Sequence, residues 1–244
     1  MLEPPVVMAG PRVKYGDGPD IQTPKLDPQL DPGISSRSEH DSRAANKGIS
    51  YKLPPSVPGL RVGLFGGSFN PPHGGHRAAS LLALRRLRLD RIWWLVSPNN
   101  PLKDARQLAP FALRLETARR VSCHPRIEVT ALEAAIGATF SFQTISYLKR
   151  RCPGVHFVWV MGADNFCYFD RWQHWRGIAD LVPLAIVDRP GFTLTATHGR
   201  AAETLAPYRL DETRALCLAT AAPPAFVFLY GPRSPQSSTA LRGK

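Results

Sequence analysis

The stretch from Arg61 to Leu84 constrains the fold more than any other part of the chain. It reads RVGLFGGSFNPPHGGHRAASLLAL: a short apolar run ends at Gly66 and Gly67, a loop with two prolines and two histidines follows, and from about Gly75 the apolar residues recur at helical spacing. A strand, a glycine turn and a helix in this order commonly place backbone N–H groups and a helix N-terminus against a phosphate. The stretch therefore predicts an anion-binding loop inside a βα unit.

Downstream of this stretch, apolar runs alternate with amphipathic ones. The strand candidates are Leu60–Phe65, Ile92–Val96, Ile127–Thr130, Val155–Met161, Leu184–Val187 and Phe226–Tyr230. The helix candidates are Gly75–Arg88, Phe111–Val121, Phe142–Arg151, Trp172–Ile178 and Ala201–Tyr208. This alternation predicts an α/β fold, a Rossmann-like doubly wound parallel sheet with helices on both faces. In such a sheet the ligand lies beyond the carboxyl ends of the strands, near the point where the strand order reverses.

The first 58 residues differ in composition from the rest. They hold ten of the 24 prolines, few aromatic residues and no periodic pattern. Such a segment cannot bury enough apolar surface to offset the entropy of ordering it. We therefore expect a disordered, Pro-rich extension at 1–58 and a single folded domain at 59–244.

Charge and cysteine content limit the classes of function. The net charge of +12 lies entirely in 59–244, because the first 58 residues hold seven basic and seven acidic side chains. A domain this basic suits nucleic acid or a phosphate-rich small molecule, although a generally basic surface explains it equally well. The four cysteines form no C-x-x-C pair, and no apolar run is long enough to span a membrane. These features predict a soluble, cytoplasmic protein.

His73 and His76 are the residues most indicative of chemistry. At the start of a helix, residues three apart share a face, so both imidazoles would lie beside the first N–H groups of that helix. Two donors at a helix N-terminus suit an anion whose charge shifts during a reaction. Capping histidines and a metal site are the alternatives, although zinc-binding helices prefer a spacing of four with a glutamate.

The longer motif GGSFNPPHGGH resembles the signature of the HxGH nucleotidyltransferase superfamily, and more closely that of bacterial nicotinate-nucleotide adenylyltransferases. The resemblance implies transfer of AMP from ATP to nicotinic acid mononucleotide, giving deamido-NAD and pyrophosphate, in a step of NAD biosynthesis. It also implies Mg²⁺ carried by ATP, with no metal ligand from the protein. Asn70 departs from the family, in which aspartate is commoner at this position.

Further segments extend the resemblance to about residue 242. Ser97–Lys103 is similar to a Pro-rich family loop, with Leu102 in place of the usual histidine. Thr139–Thr144 resembles a segment that opens a helix, and Met161–Asp164 resembles a G-x-D motif after a strand. Arg114 and Glu116 fall where the family has a charged, substrate-facing helix end, although solvated helix charges explain them as well. Trp175 is expected in the core.

The resemblance implies roles for individual residues. His76, His73 and Arg242 would act on the reacting phosphates. ATP would be bound by Gly66, Gly67, Ser68, Phe69, His73, His76, Lys103, Gly162, Asp164, Ser237, Ser238, Thr239 and Arg242. The mononucleotide would be bound by Ser141, whose amide would hold the nicotinate carboxylate, by Asp164, by Trp172, which would stack on the pyridine ring, and by Arg189.

Two alternatives remain open at this stage. A sister adenylyltransferase would act on nicotinamide mononucleotide or phosphopantetheine, and residue patterns discriminate poorly between a carboxylate and an amide. A nucleic-acid-binding module would use the basic charge, but the sequence shows no RNP, helix-turn-helix or zinc pattern. We therefore expect small-molecule partners, no nucleic acid or membrane, and a monomer or small homo-oligomer.

Overall fold

The computed structural model describes residues 53–98 and 108–231, and its seven described strands form one parallel sheet. The strands are β1 (Arg61–Gly67), β2 (Arg91–Val96), β3 (Ile127–Thr130), β4 (His156–Gly162), β5 (Leu184–Val187), β6 (Arg209–Leu210) and β7 (Phe226–Leu229). The α-helices are α1 (Gly74–Arg86), α2 (Phe111–Ser122), α3 (Leu132–Ala135), α4 (Ser141–Arg151), α5 (Ala163–Phe166), α6 (Trp175–Leu181), α7 (Thr193–Thr197) and α8 (Arg200–Leu205). Within the described ranges, three 3₁₀ segments lie at Phe169–Arg171, Ala206–Tyr208 and Glu212–Thr220.

The sheet buries both of its faces, because side chains alternate in direction along each strand. On β4, Phe157 and Trp159 belong to one core cluster and Val158 and Val160 to the other. Helices α4, α5, α6 and α8 cover the first face, and α1, α2 and the 3₁₀ segment 212–220 cover the second. Burial on both sides explains why the strands read as nearly continuous apolar runs.

The order of the strands decides where a ligand can bind. It runs β3-β2-β1-β4-β5-β7-β6, so the chain moves outward from β1 to β3 and then returns to pair β4 with the other side of β1. The reversal point is the β1–β4 border, where Leu64 lies opposite Trp159. Both strands end in glycine, at Gly67 and Gly162. The predicted doubly wound α/β fold is confirmed, with its switch point at these two ends.

Some elements differ from those expected. Helix α6 begins at Trp175 rather than Trp172, because a 3₁₀ turn precedes it and His174 takes a left-handed conformation, with φ of 54°. The expected helix Ala201–Tyr208 ends as an α-helix at Leu205 and continues as a 3₁₀ turn that contains Pro207, which has no N–H to donate. The two-residue strand β6 was not predicted.

The N-terminal boundary lies earlier than residue 59. Leu53 packs against the first core cluster and Pro54 is buried, and the Gly59 amide donates to the Gly154 carbonyl at 2.8 Å. The packed chain thus includes at least residues 53–58, whereas the rest of the expected extension lies outside the described residues. Within the described ranges, no helix is both long and apolar enough to cross a membrane.

Candidate active site

The two histidines form a reciprocal cap at the start of α1. His73 is the N-cap, and its Nδ1 accepts from the Gly75 amide at 3.1 Å. His76 is the third helical residue, and its Nδ1 accepts from the His73 amide at 3.2 Å. Because each Nδ1 is an acceptor, each neutral ring carries its proton on Nε2. The ring centroids lie 3.9 Å apart, so the predicted pairing on one face is confirmed and yields two adjacent Nε2–H donors.

The environment of His73 keeps its imidazole uncharged. Its side chain is buried, and burial is the main reason that its pKa falls from 6.5 to about 4. The positive charge of Arg189 lowers the pKa further, and Asp164 opposes these effects. His73 is therefore neutral at pH 7, so it offers a hydrogen bond rather than a positive charge.

The loop between β1 and α1 is held by aromatic packing. Phe69 has a φ of 46°, a left-handed conformation that is rare for a bulky residue, and its ring is buried on Trp94 with the centroids 4.8 Å apart. The same ring lies 4.9 Å from that of His76. Phe69 therefore packs against both Trp94 and the imidazole of His76, a role that the sequence did not suggest.

Arg114 fixes this loop from α2. Its guanidinium donates to the carbonyls of Ser68 at 2.6 Å, Ser97 at 2.7 Å, Pro98 at 2.8 Å and Ala109 at 2.9 Å. The side chain is only 2% exposed, and burial lowers its pKa. Arg114 is thus neither a solvated charge nor substrate-facing, but the tie between the loops that follow β1 and β2.

Glu116, two residues further along α2, is consistent with a solvated charge. It is exposed and lies 3.8 Å from Arg120, one helical turn away. Surface pairs of this kind contribute little to stability.

Asn70 makes a structural contact of its own. It is buried, and its Oδ1 accepts from the Ala109 amide at 3.1 Å. Asparagine therefore serves at this position as a neutral acceptor that joins the histidine loop to the start of α2.

An ion pair lies at the ends of β4 and β5. Asp164 follows Gly162 in the first turn of α5, and its Oδ1 lies 3.5 Å from Nε of Arg189, which comes two residues after β5. A Cβ on Gly162 would lie 2.2 Å from Asp164 Oδ1 and 3.1 Å from Arg189 Nε. Glycine is therefore needed at 162 to let this pair pack against the backbone. Both charges lie close enough to His73 to affect its pKa, so the pair and the histidines lie at the same edge of the sheet.

Trp172 and Trp175 occupy different environments. Trp172 is half-buried and packs edge-on against Trp159 and Phe169, with centroids 6.2 and 5.5 Å apart. Trp175 is only 7% exposed and belongs to the first core cluster, as expected for a packing residue. Trp172 is thus partly accessible, whereas Trp175 is not.

Gly66 is needed for packing at the β1–β4 border. The Trp159 indole lies over it, and a Cβ at this position would approach Cη2 of Trp159 to 2.6 Å. At Gly67 the nearest atom would be 3.5 Å away, in the Phe69 ring, which is an ordinary contact. A side chain at residue 66 would therefore clash with Trp159, whereas one at residue 67 would meet only an ordinary contact.

Ser141 begins α4, and a buried acid lies behind this helix end. The Ser141 amide is one of the first-turn donors that a helix leaves without an intrahelical acceptor. One turn later, the Thr144 hydroxyl donates to Oε1 of Glu133 at 3.3 Å, and the Ser97 hydroxyl donates to Oε2. Burial raises the pKa of Glu133 from 4.5 to about 7. Glu133 was not predicted, and its only signal in the sequence is an acid inside the apolar run ALEAAI.

Several predicted site residues cannot be placed. Lys103, Ser237, Ser238, Thr239 and Arg242 lie outside the described residues, so their roles stay predictions. Of the others, His73, His76, Gly162, Asp164 and Arg189 are brought together at the ends of β1, β4 and β5.

Comparison with known proteins shows the family of the chain. The model of the cytidylyltransferase-like family matches residues 64–244. A "probable nicotinate-nucleotide adenylyltransferase" of Brucella abortus (strain 2308) is 55% identical over 183 residues, which cover 75% of this chain and 94% of the relative. One of Methylorubrum extorquens is 54% identical over 183 residues, covering 75% of this chain and 99% of the relative. The chain belongs to the nicotinate-nucleotide adenylyltransferase family.

Solved structures agree on the fold of this nicotinate-nucleotide adenylyltransferase family member. The nicotinic acid mononucleotide adenylyltransferase of Plasmodium falciparum, complexed with NaAD, aligns with a TM-score of 0.57 at 17% identity, over 75% of this chain and 83% of that one. A second structure of that protein, complexed with APC, gives a TM-score of 0.55 over 75% and 82%. At this identity the likeness shows the fold alone.

Proposed function

We propose that this protein transfers the adenylyl group of ATP to nicotinic acid mononucleotide, giving deamido-NAD and pyrophosphate in NAD biosynthesis. The observation that carries the proposal is the reciprocal histidine cap at the switch point of the sheet. It leaves Nε2 as the N–H donor of two rings whose centroids lie 3.9 Å apart at the N-terminus of a 13-residue helix, which suits a phosphoryl group. Membership in the adenylyltransferase family specifies which phosphoryl transfer this is.

The 5′-phosphate of the mononucleotide would be the nucleophile. It is already ionised at pH 7, so its attack needs no general base. One of its oxygens forms a bond to the α-phosphorus of ATP while the bond from that phosphorus to the bridging oxygen breaks, and pyrophosphate leaves with the electron pair. The protein must align two polyanions in line and offset the charge that develops.

The histidines would stabilise charge without exchanging protons. His76 donates from Nε2 to the α-phosphoryl oxygens, and His73, neutral because of its burial, braces the same phosphates with a second N–H. Gly66 and Gly67 at the end of β1, with Ser68 and Phe69 in the loop that follows, would lie against the phosphates of ATP. Lys103, Ser237, Ser238, Thr239 and Arg242 would hold the β- and γ-phosphates of the leaving group.

Mg²⁺ would enter with ATP. Among residues 53–98 and 108–231, no group of three or more His, Cys, Asp or Glu side chains could hold a metal ion. Mg²⁺ commonly keeps several waters and binds substrate phosphates, so ATP itself would supply most of its ligands. When bound, the ion would neutralise charge on the phosphate chain.

The mononucleotide would lie across β4 toward α4. Asp164 can accept a hydrogen bond from a ribose hydroxyl, and Arg189 beside it can contact a phosphate. The indole of Trp172, which is a half-buried residue, would stack on the flat pyridine ring, and the Ser141 amide would hold the nicotinate carboxylate. The cytoplasm, a monomeric or small homo-oligomeric state and the absence of nucleic-acid partners stay predictions.

The test is pyrophosphate release from ATP with each candidate acceptor. We expect turnover with nicotinic acid mononucleotide to exceed that with nicotinamide mononucleotide and with phosphopantetheine. Equal rates with the two mononucleotides would contradict the assigned substrate, and release only with phosphopantetheine would favour the sister activity. Salt-dependent binding of random RNA or DNA without any adenylyl transfer would contradict the enzymatic function altogether.

A further inference from the structure

Glu133 is an acid that the proposed mechanism leaves without a role. It lies in the short helix α3, directly after β3, and is only 5% exposed. Burying a carboxyl group is costly unless its oxygens are hydrogen-bonded, and burial raises its pKa to about 7 despite two such bonds. Because Glu133 is buried, it does not serve as a solvated surface charge, and its position needs another explanation.

The two oxygens of Glu133 contact different elements. The Ser97 hydroxyl donates to Oε2 and the Thr144 hydroxyl donates to Oε1. Ser97 follows the end of β2, whereas Thr144 lies in the first turn of α4 and is completely buried. Glu133 therefore joins a strand end to a helix start that are 47 residues apart in the sequence.

Ser97 is itself attached to the loop of the two histidines. Its amide donates to the Gly67 carbonyl at 3.0 Å, at the end of β1. Its carbonyl accepts from Arg114, whose same nitrogen also donates to the carbonyl of Ser68. A continuous chain of hydrogen bonds thus runs from Gly67 through Ser97 and Glu133 to Thr144.

We infer that Glu133 is a positioning residue, which sets the first turn of α4 relative to the loop after β1 through its bonds to Thr144 and Ser97. This inference rests on the proposed function, in which the N-terminus of α4 holds the nicotinate carboxylate and the loop after β1 holds the phosphates of ATP. In-line transfer requires the two substrates to be held at a fixed distance and orientation relative to each other. Glu133 touches neither substrate, and it acts through the helix end that binds one of them.

The role predicts an effect on one substrate only. In Glu133→Ala the hydroxyls of Ser97 and Thr144 lose their acceptor, so the first turn of α4 is held less firmly. The hydrogen bonds of Arg114 and of the histidine cap remain and keep the loop after β1 in place. We expect KM and the calorimetric Kd for nicotinic acid mononucleotide to rise about ten-fold, the scale of one lost buried hydrogen bond. We expect KM for ATP to change less than about two-fold. Glu203→Ala, an exposed acid on α8, is the matched control.

Conservative variants separate a hydrogen-bonding bridge from a charge effect. In Glu133→Gln one hydroxyl can still donate to the amide oxygen while the other accepts from the NH₂ group, so near-wild-type constants are expected. Thr144→Val removes one arm with little change in shape and should raise KM for the mononucleotide alone. Should Glu133→Ala fail to fold, these two variants carry the test.

The outcomes are distinct. Absence of wild-type turnover would overturn the proposed function and this inference together. A normal wild type with unchanged constants in Glu133→Ala or Thr144→Val, or with equal losses for both substrates, would overturn the inference alone. Glu133→Gln as impaired as Glu133→Ala would overturn the hydrogen-bonding bridge.

Discussion

At the scale of single residues, the histidine pair owes its properties to the helix that it caps. Each imidazole uses Nδ1 to satisfy a backbone N–H that the start of α1 would otherwise leave unpaired. This arrangement fixes the tautomer and directs the Nε2–H groups away from the helix. Capping, which the sequence posed as an alternative to phosphate binding, uses only Nδ1 of each ring and is therefore compatible with the proposed phosphate contact through Nε2.

His76→Ala tests the assignment of the main donor. We expect kcat for adenylyl transfer to fall by about 10²–10³, the scale for losing one transition-state donor. Steady-state kinetics with saturating ATP and mononucleotide would measure the loss. His156→Ala, an exposed histidine at the start of β4, should retain normal turnover. Near-normal kcat in His76→Ala would contradict the assignment.

The buried neutral His73 predicts a pH dependence of stability. Because its pKa is about 4 in the folded state and 6.5 when it is unperturbed, the unfolded chain binds more protons between these values. The free energy of unfolding should therefore fall as the pH drops from 6.5 to 4, by up to about 3 kcal/mol from this residue. In His73→Asn, which can still cap the helix, this contribution is absent.

Denaturant unfolding of both proteins at several pH values would measure the difference. Glu133 contributes with the opposite sign, since its raised pKa makes stability fall as the pH rises from 4.5 to 7. It is present in both proteins, so subtracting one curve from the other removes it. Curves that stay parallel from pH 7 to pH 4 would contradict a buried neutral His73.

At the scale of elements, β1 and β4 approach each other through a glycine and a tryptophan. The Trp159 indole packs on Gly66, and this contact fills the β1–β4 border at the switch point. From the sequence, Gly66 is explained by the approach of a phosphate. The structure adds a second reason, the contact with Trp159, which arises only because two distant strands are paired.

Gly66→Ala should therefore destabilise the protein even without ligand. We expect a loss of about 1–3 kcal/mol, typical of overpacking a core, as measured by denaturant unfolding. Gly67→Ala is the matched control, because its Cβ would make only an ordinary contact at 3.5 Å. In a double-mutant cycle, Trp159→Phe should relieve part of the Gly66→Ala loss, and strictly additive losses would argue against the clash.

At the scale of the whole molecule, a chain that begins at Leu53 should keep the fold and the activity. The relatives match 75% of this chain while being covered over 94% or more of their own length, and the described packing begins at Leu53. We expect the same thermal midpoint and the same kinetic constants as for the full chain. A large loss of either would assign a structural or regulatory role to the preceding residues.

The sequence alone was sufficient to predict the fold class. Apolar residues recur every 2 residues in a half-buried strand and every 3.6 in a helix, so these patterns are local properties of the chain, and the apolar runs are long. It also sufficed for the family and for the histidine pair, whose members are three residues apart. It predicted helix ends poorly around 172–175, where tertiary packing selects a 3₁₀ turn and a left-handed His174.

What only the tertiary structure decided is the environment of polar side chains. The sequence left Arg114 as a solvated or a substrate-facing charge, yet four carbonyls from three segments surround it. Glu133 has one partner just after β2 and another in α4. His73 is kept neutral mainly by burial and secondarily by the positive charge of Arg189. Burial and electrostatic neighbours come from residues far apart in the chain, which no local pattern encodes. The sequence of this protein therefore determines where its site lies, and the packing of distant segments determines which groups in it are charged, which are fixed and which can act.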